Sequence, residues 1–322
     1  MATLGEANVG GRMVPAWLLD TPANDLDRVV STVSTLVRPN LLDNWYFGRP
    51  VNQRGETEWL SSSSVYIPCV DRWNWWGQYV AGTRLNLLDD GLQLAKPAEG
   101  QGQGLYQSIV QRIEKTRVPV GATVTLSALV KAEADASIVL ALNSSYNVLS
   151  VQANVWELIT YTFNAPSVEQ TYDASIQRNS GGIAFTVKAA KLELGPTQTL
   201  AHQDSVGNWV LNEVPDYGEQ VRRCQRYYLI TSAKHFFMGW AITDNTGFIL
   251  VPATSQMRIK PTITILAGGT FIQNDKTASL TAANFELESA DAVGLKIKLN
   301  GLNCSTGPFT VADSQIAFSA DL

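Results

Sequence analysis

Charge is scarce in this chain. Asp, Glu, Lys and Arg make up 16% of its 322 residues, against roughly 25% in ordinary soluble domains. The net charge is -5. With no Lys/Arg surplus to neutralise phosphates, nucleic acid is excluded as a main partner. No basic run suits a membrane surface, and no apolar run approaches the roughly 18 residues of a membrane span. No basic-then-apolar signal opens the sequence, so synthesis in the cytoplasm without membrane insertion is expected.

Cysteine and histidine are equally sparse. Cys69, Cys224 and Cys304 are odd in number and far apart, so buried free thiols are expected in place of a disulfide framework. Neither His202 nor His235 has a Cys or His at ligand spacing, and no metal site is expected. There is no Gly-x-Ser-x-Gly elbow. The Gly-rich stretch Glu99–Tyr106 lacks the Lys and Ser/Thr of a phosphate loop and reads as a plain loop. A glycosidase needs a pair of carboxylates. Asp71, Asp89 and Asp90 are candidates, yet Asp89-Asp90-Gly91 reads first as a hairpin turn. The expectation is a non-enzymatic protein without a cofactor, with glycan hydrolase as an alternative.

What the chain does have is aromatics and a period of two. Nine tryptophans and 45% hydrophobic residues exclude a disordered chain. From Asn40 to about Ala201, runs such as Ala122–Ala132, Ala136–Ser144, Trp156–Pro166 and Gly182–Leu194 alternate or read as buried strands, separated by turn residues. Many short antiparallel strands at this spacing predict a sandwich or jelly roll. Val214–Ile230 reads as a short helical connector starting at Pro215, with Val221, Cys224 and Tyr228 on one face. A second β block follows. It has a hairpin near Asp244-Asn245 or Thr246-Gly247 and further strands in "PTITILAGGTFI", "GLKIKLNGL" and "SQIAFSADL". The fold class is therefore all-β. The expected order is an N-terminal arm and helix (1–39), a jelly roll (40–213), a helical connector (214–228) and a C-terminal β-domain (229–322).

Residues 1–39 stand apart. Met1–Leu19 is Gly-rich with no clear period. A helix follows from Asp20 or Thr21, with Leu26, Val30, Val33 and Val37 as a heptad seam. That seam packs either on the chain's own downstream domain or on copies of itself. The richest aromatic cluster is Val70–Val80. On a strand, Trp73 and Trp75 share one face and Trp76 takes the other. Trp75, Trp76 and Tyr79 are the candidate ligand-binding rings, since a sugar stacks its apolar face on an aromatic. The alternative is that all of them are core.

The stretch Asn40–Gly55, "NLLDNWYFGRPVNQRG", followed by "YIPCVDRWNWW", resembles a module of bacteriophage tail-fibre and receptor-binding proteins. Its pattern is Asn-Leu-Leu, Asn-Trp-x-Phe, Pro-Val-Asn-Gln-Arg-Gly, then Tyr-x-Ile-Asp-Arg-Trp. Asn40, Leu41, Leu42, Asn44, Trp45, Phe47 and Pro50–Gly55 match it. So do Tyr66, Ile67, Asp71, Arg72 and Trp73, with Pro68-Cys69-Val70 inserted. "KLELG" (Lys191–Gly195), "YGEQVRRCQRYY" (Tyr217–Tyr228) and Met257–Ile265 fit as well. The resemblance spans about Asn40 to Leu322. It implies a carbohydrate-binding-like jelly roll whose first strand is the opening stretch, in a homotrimeric virion fibre. The N-terminal arm would attach to another virion protein, and the fibre would recognise a host-surface glycan. A head fibre or baseplate adaptor without glycan affinity is the alternative. Since a fibre fixed by one end presents the other, recognition is expected in the C-terminal block, at Gln273–Ser279 and Asn303–Pro308, with the jelly-roll rings as the competing site.

Overall fold

The structure is a computed structural model and describes residues 6–9, 12–15, 38–60, 66–77, 84–96, 107–166, 168, 170–179, 182–232, 235–274, 276–291 and 294–320. The arm, expected to be irregular, contains a hairpin. Strands β1 (Glu6–Val9) and β2 (Arg12–Pro15) pair in register Glu6↔Pro15 to Val9↔Arg12. Gly10 and Gly11 stand between them in sequence, the residue type that two-residue hairpins favour. The seam Leu26, Val30, Val33 and Val37 lies outside the described residues, as does Tyr79.

Alternating polar and apolar positions then build a two-layer sandwich. Its strands are β3 (Glu58–Leu60), β4 (Tyr66–Pro68), β5 (Asn74–Gly77), β6 (Arg84–Leu88), β7 (Gly91–Leu94), β8 (Gln107–Ile113), β9 (Thr123–Ala132), β10 (Ala136–Leu142), β11 (Ser145–Val151), β12 (Trp156–Asn164), β13 (Tyr172–Arg178) and β14 (Phe185–Leu194). They divide into two six-stranded sheets, ordered β11-β10-β13-β8-β5-β4 and β12-β9-β14-β7-β6-β3. The chain crosses between sheets repeatedly, as in a jelly roll. Asp89-Asp90 form the β6–β7 turn, as their sequence suggests. Trp75, Ile109, Ile176 and Leu140 from one sheet meet Leu126, Val130, Val187 and Leu192 from the other in a single core.

The opening stretch is a correction to the expected first strand. Residues 41–47 run beside the half of β14 that β7 leaves open. Leu41 N donates to Leu192 O at 2.7 Å, and Ala190 N donates to Trp45 O at 3.0 Å. Regular pairing is nevertheless limited to the single bridge Tyr46↔Ala189. Asn44 explains the break. It takes a left-handed φ of 53°, and its amide side chain bonds Val51 O, Asp71 O and Val51 N at 2.7–2.9 Å. Asn and Asp tolerate that backbone region best among side-chain-bearing residues. Trp45 and Phe47 still reach the core.

"KLELG" has a similar explanation. Lys191 and Glu193 point away from the sandwich core and are nonetheless fully buried. Lys191 Nζ pairs with Glu213 at 2.8 Å, and Glu193 accepts from the backbone and hydroxyl of Thr199, both at 2.6 Å. The covering segment includes the hairpin β15 (Ala201–Gln203) and β16 (Trp209–Leu211). Helix α1 (Tyr217–Gln225) follows, capped by Asp216, whose carboxylate accepts from Glu219 N. Its buried residues are Gln220 and Cys224. Val221 is half-buried, and Tyr228 belongs to the next strand, so the expected apolar face is narrower than its spacing suggests.

The C-terminal block has its own core cluster. Its strands are β17 (Tyr228–Ile230), β18 (His235–Ala241), β19 (Thr246–Pro252), β20 (Thr262–Ala267), β21 (Thr270–Gln273), β22 (Lys276–Ser279), β23 (Phe285–Ala290), β24 (Gly294–Asn300) and β25 (Gly307–Ser319). They form one sheet ordered β22-β21-β25-β18-β19-β24-β23, with β17 and β20 paired to the far half of β25. Asp313, at φ 56°, marks the bend where pairing passes from β21 at Ala312 to β20 at Gln315. The β18–β19 turn falls at 242–245, so Asp244-Asn245 lie in it and Thr246-Gly247 begin β19. "PTITILAGGTFI" is two strands, because Gly269 takes a left-handed φ of 81° between them.

A buried polar joint links the two blocks. Asp43, almost wholly closed to solvent, sits among three guanidinium groups: Arg117 at 2.9 Å, Arg72 at 3.3 Å and Arg223 at 3.3 Å. Arg72 also lies over the Tyr227 ring, 3.4 Å from its centroid, and the Tyr227 hydroxyl donates to Glu114 at 2.7 Å. Gln53 Nε2 bridges the Asp71 carboxylate and Tyr228 O at 2.5 and 2.8 Å. Asn44 N donates to Gln220 Oε1 at 2.7 Å. Burial is the largest single influence on Asp43 and raises its pKa. Arg117, Arg72 and Arg223 together outweigh it and hold the carboxyl below its ordinary value.

Asp43→Asn leaves three guanidinium groups around a neutral amide. Breaking a buried ion cluster this way is expected to cost about 3–5 kcal/mol, read as a lower urea midpoint with an unchanged slope. The native-state pKa lies below the unfolded one of about 3.9, so the cluster's contribution is complete above that value. It is lost as pH falls through the native-state value. The difference between wild type and Asp43→Asn should therefore be constant from about pH 5 to 8 and shrink on acidification.

Candidate functional site

The cross-strand registers of the first sheet lay out its outward face. One row runs Tyr66–Trp76–Ser108–Gln177–Val139–Val148, and the next Pro68–Asn74–Val110–Ser175–Ala141–Tyr146. The middle of both rows is nearly closed to solvent except at the half-buried Gln177. The edges carry exposed rings: Tyr66 is 53% and Tyr146 64% exposed. Trp76, half-buried, stands beside Tyr66 with ring centroids 6.4 Å apart and planes 31° from parallel. The pair forms an aromatic platform at the β4–β5 edge.

Polar groups flank the platform. Two same-face pairs along β8 and β13 from the Trp76 row, Arg112 donates to both carboxylate oxygens of Asp173 at 2.7 and 2.9 Å. The Asp173 hydrogen bond is the main cause holding Arg112 above its ordinary pKa. Burial opposes it, while the Asp173 charge and the nearby Tyr66 phenol add to the rise. Both members of the fork are partly open to solvent. Flat ring faces next to a planar fork of donors and acceptors can hold a ring that is apolar on one side and hydroxylated at its rim.

Trp75 is a correction to the expected site. It is fully buried in the sandwich core beside Ile109, its partner across β8, and its indole N–H has no hydrogen-bond partner among the described residues. No ligand reaches it. The period-two argument does sort the cluster, sending Trp73 and Trp75 inward and Trp76 outward. Sequence reasoning missed Tyr66, Arg112 and Asp173. Tyr66 was visible only as part of a motif. The Arg112–Asp173 fork depends on the β8–β13 register, which no local pattern announces.

Several other carboxylates have structural partners, while Asp89 is exposed in the β6–β7 turn. Asp71 is buried and holds Gln53 and Arg54, and Asp90 pairs with Lys131 at 2.9 Å. A groove of about 570 Å³ at one end of β10–β12 includes Asp135 and Glu157. Each accepts a backbone N–H of the adjoining turn, from Ala153 and Gln152 respectively. All three cysteines are free and buried, and burial pushes the Cys69 thiol up to about 12. No cluster of three or more potential metal ligands exists among the described residues. The two C-terminal stretches where recognition is expected are joined: Gln273 donates to Ser305 O at 2.6 Å and accepts from Ser305 N at 2.8 Å. Part of the first is the regular strand β22.

No protein-family model matches the chain, and no curated protein is similar to it. Among solved structures it is similar to carbohydrate-binding modules. One, described as "CBM4 structure and function", is 14% identical, covers 38% of this chain and 87% of its own, and has a TM-score of 0.31. A family 16 carbohydrate binding module is 13% identical over 43% of this chain and 86% of its own, with a TM-score of 0.25. The N-terminal CBM22-1–CBM22-2 tandem of Paenibacillus barcinonensis Xyn10C is 12% identical over 88% of this chain and 98% of its own, at 0.28. The fold class is all-β, built around a jelly-roll sandwich.

Trp75→Ala should cost about 3–5 kcal/mol, as expected for emptying a buried indole. Tyr66→Ala, at the exposed edge, should stay within about 0.5 kcal/mol. Paired urea melts of the two variants check the assignment of faces.

Proposed function

We propose that the chain is a non-enzymatic glycan-binding fibre protein of a bacteriophage particle. In this reading it assembles as a homotrimer, docks on another virion protein through its N-terminal arm, and recognises a bacterial surface glycan. The carrying observation is the Tyr66–Trp76 platform beside the Arg112–Asp173 fork. A stacked ring supplies apolar contact, and the fork supplies directional bonds to hydroxyls. The virion setting is supported by the resemblance of Asn40–Gly55 and its companion motifs to tail-fibre proteins. This reading puts recognition on the sandwich and not on the C-terminal loops.

A glycan array probed with the full chain and with a Tyr66→Ala/Trp76→Ala double variant tests it. The expected outcome is binding to one class of bacterial polysaccharide, weakened at least tenfold in the double variant, about 1.4 kcal/mol. Folded chain that binds no glycan and does not adsorb to host cells points instead to a structural virion component. Release of shortened oligosaccharides by the wild type points to a hydrolase.

A further inference from the structure

The outward face of β18 and β19 is unusually apolar. Phe236, Met238 and Trp240 alternate along β18 and are 64%, 81% and 58% exposed. Trp240 pairs with Phe248 on β19, and Leu250, two residues further along, shares that side. Across β25, Thr310 stands between Met238 and Ile272, carrying the face on to β21. Large side chains offer roughly 150–250 Å² each, so the exposed part of this face is on the order of 600 Å². That equals the upper end of the largest patch on a typical monomer, about 300–600 Å². It approaches the ~800 Å² per partner of a standard interface.

We propose that a second copy of this chain covers this face. This deepens the oligomeric part of the reading above by naming its surface. The rim argues for a copy over an unlike partner. Lys296 pairs with Glu288 at 3.2 Å and Lys298 with Glu286 at 3.7 Å, so the charges along the β23–β24 side are already balanced within the chain. An apolar centre whose β23–β24 side carries balanced charges calls for no oppositely charged partner, and copies of one chain meet that demand when each brings the same apolar face to a shared symmetry axis. Aromatic residues and Met, which dominate this face, are the types enriched at interface centres.

Light scattering and mass photometry on the full chain test this, with Met238→Glu and, separately, Trp240→Glu. Both side chains are more than half exposed, so neither variant should disturb the melt of a monomer. The expected result is an oligomeric wild type whose dissociation constant rises at least about thirtyfold in each variant, with glycan binding per subunit unchanged. A wild type that is monomeric at tens of micromolar overturns both this surface and the homo-oligomer reading. An oligomer that both variants leave intact overturns the surface alone and assigns assembly elsewhere, such as the Val30–Val33 seam.

Discussion

One buried carboxylate organises the joint. Asp43 supplies its side chain to three arginines, its N–H to Gln111 Oε1, and its carbonyl to Gln111 Nε2 and Trp73 Nε1. The arginines come from three places: the turn before β5, the short helical turn after β8, and α1. A charge this deep is costly unless every partner is in place. The geometry of the opening stretch, of the first sheet and of the helix leading to the C-terminal block is therefore set together. Arg72, at a left-handed φ of 73°, is the member that reaches furthest, stacking on Tyr227 and donating to Arg112 O.

This accounts for where the motif residues went. Asn44, Gln53, Arg54, Asp71, Arg72 and Trp73 hold the joint, Asn40 fastens the opening stretch to β14, and Lys191 and Glu193 fasten the cover over the second sheet. Two surfaces stay open: the ring-bearing edge of the first sheet, to which the motif contributes Tyr66, and the apolar side of β18 and β19. Arg112 connects the two ideas, since its carbonyl receives Arg72 while its side chain forms the fork with Asp173.

The sequence made period legible, and with it much of the fold. Alternation located β9 and β12 to within two residues and β14 to within three, and it sorted Trp73, Trp75 and Trp76 between faces. It did not show which face meets solvent. Alternation leaves Trp75 open to a binding role, and Lys191 gives no sign of being fully buried, because burial depends on what packs above a strand. Short strands such as β4 and β15 carry too few residues for a period to show. The Asp43 cluster was unreadable for another reason: Arg72, Arg117 and Arg223 meet only after both sheets have formed. The exposed face of β18 was written in Phe236, Met238 and Trp240, but alternation alone gives no reason to choose the apolar side of a strand as the outer one.

The central claim is that the joint makes the sandwich and the C-terminal block one cooperative unit despite their separate cores. Scanning calorimetry of the intact chain at neutral pH addresses it directly. The account predicts a single transition whose calorimetric and van't Hoff enthalpies agree for each folded subunit. Two resolved transitions in the wild-type chain, one for each core, would contradict it.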